Sequence, residues 1–205
     1  MKYLILIILL FAFVAHGQDF YGTNDVQTFR NERDKEFRKQ SQTPLTDEDF
    51  LNFKGLEYFP IDEKFVVKAK LEKTDDTQYF LMPTSVGTSR KFIKYGILKF
   101  ELDEKNYSLN VYQSESAAKK SEYKDLLFIP FRDLTNGTET YGAGRYLDIK
   151  IPSDNEVILN FNLAYNPNCA YGTDKFSCPL PPRENFLQVK IFAGEKKYEY
   201  TAKKQ

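Results

Sequence analysis

The chain has no tryptophan, a single histidine and only two cysteines in 205 residues. The histidine, His16, comes just after the one long apolar run, Tyr3 to Val14. Beyond it, no Ser-His-Asp or Cys-His catalytic arrangement can be assembled, nor any His-ligated zinc or copper site. No second stretch is apolar enough to cross a bilayer. Neither charge sign is in excess: Lys plus Arg and Asp plus Glu number 29 each, and they are interspersed rather than blocked. Without a basic face interleaved with aromatics, nucleic acid is not an expected partner. Internal repeats and low-complexity linkers are also missing.

What is present at the start sets an expected compartment. Met1-Lys2, the apolar run and the small residues of Ala15-His16-Gly17 have the form of a secretory signal peptide over residues 1–17, cut before Gln18. The run is short for a membrane span, and no cysteine near the junction offers a lipid anchor. Residues 18–205 are then expected to form one exported β domain, periplasmic or secreted, with a helical lead-in at about 25–53 and a β core at about 64–200. In such a compartment Cys169 and Cys178 are expected to pair with each other. Closing so short a loop stabilises by about 3 kcal/mol in the chain-entropy picture.

The pattern of the lead-in is helical. Asn24 with Gln27 fits an N-cap and its reciprocal partner, and a thin stripe of Val26, Phe29 and Phe37 predicts a helix over Asp25–Gln40. A short helical turn is predicted at Thr46–Phe53. Its acidic trio Asp47-Glu48-Asp49 lacks the spacing of a calcium loop and suits a helix N-terminus.

From Phe65 onward the period becomes two. Phe65, Val67, Ala69 and Leu71 alternate with polar neighbours, as do Leu98, Phe100 and Leu102, and then Tyr107, Leu109 and Val111 beyond a loop at Asp103–Asn106. Further strands are predicted at Gln78–Met82, Leu126–Phe131, Tyr146–Ile151, Glu156–Leu163 and Phe186–Phe192. The fold class is mainly β: an antiparallel β-sandwich or barrel with an N-terminal helix.

Candidate site residues concentrate between Phe131 and Lys196, where Gly, Pro, Asn, Tyr, Arg and both Cys crowd together. Asn160 and Asn162 share one parity opposite Val157, Leu159 and Phe161; that face either meets water, as outward sheet faces do, or places two amides along a cavity, which is the expectation. Arg145 follows a Gly-x-Gly turn and shares the parity of Leu147, Ile149 and Ile151. Its guanidinium should therefore reach the interior and need a carboxylate, with Asp133 and Glu195 the candidates. Gly142-Ala143-Gly144 lacks the third glycine of a dinucleotide-binding turn, so no cofactor is expected, and no metal site.

Three function classes remain. The first is a pocket for a polar small molecule, a sugar or an organic acid, lined by Tyr141, Arg145, Asn160, Asn162, Tyr165 and Glu195. The second is a histidine-independent hydrolase of glycosidase type drawing on Asp133, Glu184 and Glu195. The third is a structural or interaction domain in which the whole block is architecture.

The motifs FRDLTNGTETYGAGRYL (131–147), NFNLAYNPNCAY (160–171), CPLPPREN (178–185) and AGEK (193–196), with TPL (43–45) and FKGLEYFPID (53–62), resemble the bacterial domain-of-unknown-function family 1684. The resemblance runs over nearly all the chain beyond the leader, and it implies a single-domain protein without an assigned activity. At Asn160 this chain departs from the Asp common in that family, which removes one carboxylate from an enzyme reading.

Overall fold

Alternating apolar side chains along seven strands build one curled antiparallel sheet, a half-barrel, and a short N-terminal helix packs against it. This computed structural model describes residues 23–41, 43–75 and 78–200. The predicted leader lies outside the described residues.

Helix α1 (Thr23–Phe37) starts two residues before and ends three residues before the predicted bounds. Val26 and Phe37 are buried as expected, but the stripe between them is filled by Arg30, 8% exposed, and Arg33. The side chain of the proposed cap, Asn24, lies outside the described residues. Helix α2 (Asp47–Asn52) is capped by Thr46, whose hydroxyl oxygen accepts the Asp49 N–H at 3.1 Å. The acidic trio is thus its first turn.

The strands are β1 (Val66–Lys73), β2 (Tyr79–Pro83), β3 (Ser89–Leu102), β4 (Lys105–Ser114), β5 (Leu126–Phe131), β6 (Arg145–Lys150) and β7 (Glu156–Asn160). They are ordered β6-β5-β4-β3-β1-β7, and β2 pairs with the first half of β3. The main core covers one face of this sheet and includes Leu71, Leu98, Leu109, Ile129, Leu147 and Phe161.

The β3–β4 turn is tighter than predicted. Leu102 pairs with Lys105, which leaves only Asp103 and Glu104 in the turn, at φ +52° and +59°. Two left-handed residues match the right-handed twist of the strands. Glutamate fits poorly there, because its Cβ crowds the following carbonyl. Glu104→Gly is expected to raise stability by about 0.5–1 kcal/mol; urea unfolding would check it, and no gain would mean that the turn relaxes without strain.

A bulge decides which side chains face outward. In the β3–β4 ladder Lys94 lies opposite Tyr112 but Gly96 lies opposite Val111, so one residue of β3 is extra. Phe92 and Leu98 have the same sequence parity, yet the bulge puts them on opposite faces. Leu98 joins the main core, whereas Phe92 joins Met82, Tyr112 and Phe128 on the outer face.

Two predicted strands are corrected. Strand β7 stops at Asn160, because the Asn160 side chain accepts the Asn162 N–H at 3.0 Å and folds Phe161–Leu163 into a 3-10 turn. A short amide bonding two residues ahead offers the backbone this alternative to the ladder. Residues 186–192 run without a ladder, joined to the sheet by one bridge from Phe186 to Arg132. The Ile191 carbonyl, which a strand would offer a neighbour, is given there to buried Arg145, as is that of Ala193 just beyond.

Candidate ligand groove and the polar network behind it

Arg145 opens β6 on its core face and is fully buried. One terminal nitrogen donates to Asp133 Oδ2 and to the Ile191 carbonyl, both at 2.9 Å. The other donates to the carbonyls of Ala193 and Glu195. Asp133 Oδ1 in turn accepts the N–H and hydroxyl of Thr135, and that hydroxyl meets Thr140 at 2.8 Å. The fork of a guanidinium suits this set of acceptors in several directions. Gly144, at φ +104°, lets the chain pass beside it, since a Cβ would lie 2.6 Å from the Phe131 carbonyl oxygen. The predicted partner Asp133 is thus found, whereas Glu195 contributes its backbone and sends its carboxylate elsewhere.

That carboxylate is 1% exposed and meets α1. Oε2 accepts from Arg33 at 3.4 Å and from the Asn166 N–H at 3.1 Å. Oε1 accepts from the Asn166 side chain at 2.9 Å and from the Tyr171 hydroxyl. Burial pushes the Glu195 carboxyl above its usual range, and Arg33, Tyr171 and Asn166 pull it part of the way back. The Arg33 guanidinium also lies 4.8 Å from the centre of the Tyr165 ring and 5.4 Å from that of Phe37. A cation between aromatic faces is stabilised by their negative quadrupoles.

Tyr165 carries the network outward. Its hydroxyl donates to Asp148 Oδ2 at 2.5 Å. Asp148 sits on the outer face of β6, flanked in sequence by Leu147 and Ile149 on the core face. Protein surrounds it on most sides, and burial raises its carboxyl to about 6, with the Tyr165 bond and the Arg33 charge opposing the rise. Among the described residues Oδ1 has no protein partner, and Asp148 lines a groove of about 450 Å³.

An aromatic row forms the floor of that groove. Phe92 stacks on Phe128 at 5.6 Å between centroids, Phe128 and Tyr146 meet edge-to-face at 4.7 Å, and Tyr146 meets Tyr165 at 5.8 Å. Ser114, Ser116, the exposed Arg90 and a wall formed by Phe176 to Pro179 complete the lining. The wall is held by the Cys169–Cys178 disulfide and tied to the end of β2. The Ser85 N–H donates to the Cys178 carbonyl at 2.9 Å, and the Leu180 N–H to that of Pro83 at 2.8 Å. Thiol titration of the unfolded, unreduced protein is expected to find no free sulfhydryl; two reactive thiols per chain would contradict the bond.

Of the residues singled out in the sequence, Tyr165 lines this groove, with Cys178 in its wall. Asn160 and Asn162 are buried, 3% and 0% exposed, and bonded to the chain itself. The Asn162 amide takes the Asp62 N–H and gives to the Asp62 carbonyl, while Asn160 bonds Asn162. They tie the β1 approach to the end of β7. Tyr141 packs beside the Phe37–Tyr171 cluster. Asp133 and Glu195 belong to the interior network, and Glu184 is exposed on the 3-10 turn Arg183–Asn185. None of these three carboxylates lines the groove.

Sequence reasoning missed Asp148, Arg90, Phe92, Phe128 and Arg33. Asp148 had a signal: an acid inside a strand, with apolar neighbours on both sides, is a poor β former without another task. Arg33 sits at helical spacing from Phe29 and Phe37, where an apolar residue would continue the stripe. Among the described residues no group of three or more His, Cys, Asp or Glu could hold a metal ion, and no helix is long and apolar enough to cross a membrane.

Residues 51–196 match the family described as protein of unknown function, DUF1684. A solution NMR structure of an uncharacterized protein from Haloarcula marismortui is 35% identical, with a TM-score of 0.67 over 84% of this chain and 92% of that one. No curated protein matches the chain.

Proposed function

For this chain, which belongs to the DUF1684 family, we propose binding of a polar small molecule in the groove between the outer sheet face and the disulfide loop. The observation that carries this reading is Asp148, a carboxyl that lines the groove beside Tyr146 and Tyr165 and accepts the Tyr165 hydroxyl through Oδ2. A carboxyl raised to about 6 is costly for a fold to keep unless it has a task. The walls are fixed in advance by the disulfide and by the Glu195–Arg33 network behind Tyr165, which lowers the ordering cost of binding. Export belongs to the same proposal. A disulfide suits an oxidising compartment, and the leader pattern at residues 1–17 points the same way.

A melting-temperature screen against neutral sugars, organic acids and organic amines tests the reading. At least one class should raise the melting point of the parent and fail to raise that of Asp148→Asn. Shifts that persist unchanged in Asp148→Asn, or no shift with any class, would overturn it.

A further inference from the structure

We propose that the ligand of this groove is a neutral carbohydrate, packed on the apolar surface of Phe128 and Phe176 and hydrogen-bonded through its hydroxyls to the Asp148 carboxyl. The proposal rests on the binding reading above and narrows it to one chemical class. Phe128 on the floor and Phe176 on the disulfide wall both line the groove and are partly open to solvent, so each offers apolar surface to a bound ring. A pyranose matches that geometry: its C–H faces can lie against aromatic rings while its hydroxyls point outward around the edge.

The polar atoms around the groove fit the same class. Oδ1 of Asp148 is an acceptor, and a sugar hydroxyl is a donor for it; charge-assisted bonds of this kind are the stronger ones. The Ser114 and Ser116 hydroxyls lie 2.9 Å apart in the same lining and can each give or accept. The two charges of the groove oppose one another, Arg90 at the exposed rim and Asp148 deeper in. An anion seated over the floor would face the Asp148 carboxylate. An organic cation would meet Arg90 at the mouth, and the Tyr165 ring is already engaged by Arg33. A neutral polyol meets neither obstacle.

Isothermal titration with maltose, cellobiose and chitobiose, beside citrate, succinate and choline, separates the outcomes. The expected result is saturable binding of at least one disaccharide, weakened about tenfold or more by Asp148→Asn, the loss of a charged hydrogen bond being worth that much. Phe176→Ala, a surface change in the disulfide loop, should weaken it as well, while added salt should leave it nearly unchanged. Binding should also fall as pH drops through 6, where Asp148 takes up its proton. Binding of citrate, succinate or choline instead, sensitive to salt and to Asp148→Asn, would overturn the carbohydrate class and leave the groove reading standing. Disaccharide binding untouched by Asp148→Asn and Phe176→Ala, or no binding by any probe, would overturn both.

Discussion

Replacing Arg145 by lysine is expected to destabilise the protein by about 3–5 kcal/mol, enough to leave much of it unfolded near physiological temperature. Arg145 is completely buried and serves Asp133 together with the carbonyls of Ile191, Ala193 and Glu195. A lysine ammonium has three donors on one atom and cannot span acceptors placed around a planar fork. It would leave at least one carbonyl, or the Asp133 carboxylate, buried and without a partner. The loss should propagate, because residues 191–195 hold their course through these bonds and Glu195 then docks α1. Denaturant unfolding of Arg145→Lys beside Arg145→Met separates charge from shape. Both should melt far below the parent, and Arg145→Lys melting like the parent would contradict this role.

Asp148→Asn is expected to do the reverse at neutral pH and raise stability by about 2–3 kcal/mol. The folded protein holds the Asp148 proton more tightly than the unfolded chain does, with the carboxyl near 6 rather than its ordinary value of 3.8. Its contribution to stability is therefore complete below about pH 4 and is lost as pH rises through 6. Asparagine cannot ionise, so the variant escapes that loss, and its side-chain oxygen can still accept from Tyr165. Melting curves should show the variant ahead of the parent at pH 7.5 and level with it near pH 4. A variant less stable than the parent at pH 7.5 would mean that the carboxylate, not the acid, is the form the fold prefers. A substitution that stabilises the fold and weakens binding is the mark of a residue kept for function.

The sheet was legible because burial on one face writes a period of two into the chain. Val67-Ala69-Leu71 and Leu98-Phe100-Leu102 could be assigned from alternation alone. Alternation fails where a local event changes the count. The β3 bulge reverses the facing of Phe92, and the Asn160 side chain ends β7 one residue before Phe161. The first turns Phe92 to the outer aromatic row, and the second ties the Asn162 amide to the Asp62 backbone.

Arg145 and Asp133 could be paired from parity and residue type, since a buried guanidinium needs an acid. Glu195 was recognised as important, but its partner Arg33 lies 162 positions earlier on a helix whose charges resemble an ordinary solvated face. Contacts of such separation leave no local trace. The groove was the least legible part, because it is made by β3, β5, β6 and the disulfide loop together, and no one segment carries its pattern.

The central claim, that the outer groove with Asp148 is where this protein binds its ligand, is tested most directly by amide chemical-shift mapping of isotope-labelled protein titrated with the disaccharides. The account predicts saturable shifts clustered at residues 114–117, 126–128, 146–148 and 176–179, with the midpoint moved about tenfold or more to higher ligand in Asp148→Asn. Shifts clustered on another face of the molecule, or none up to millimolar disaccharide, would contradict it.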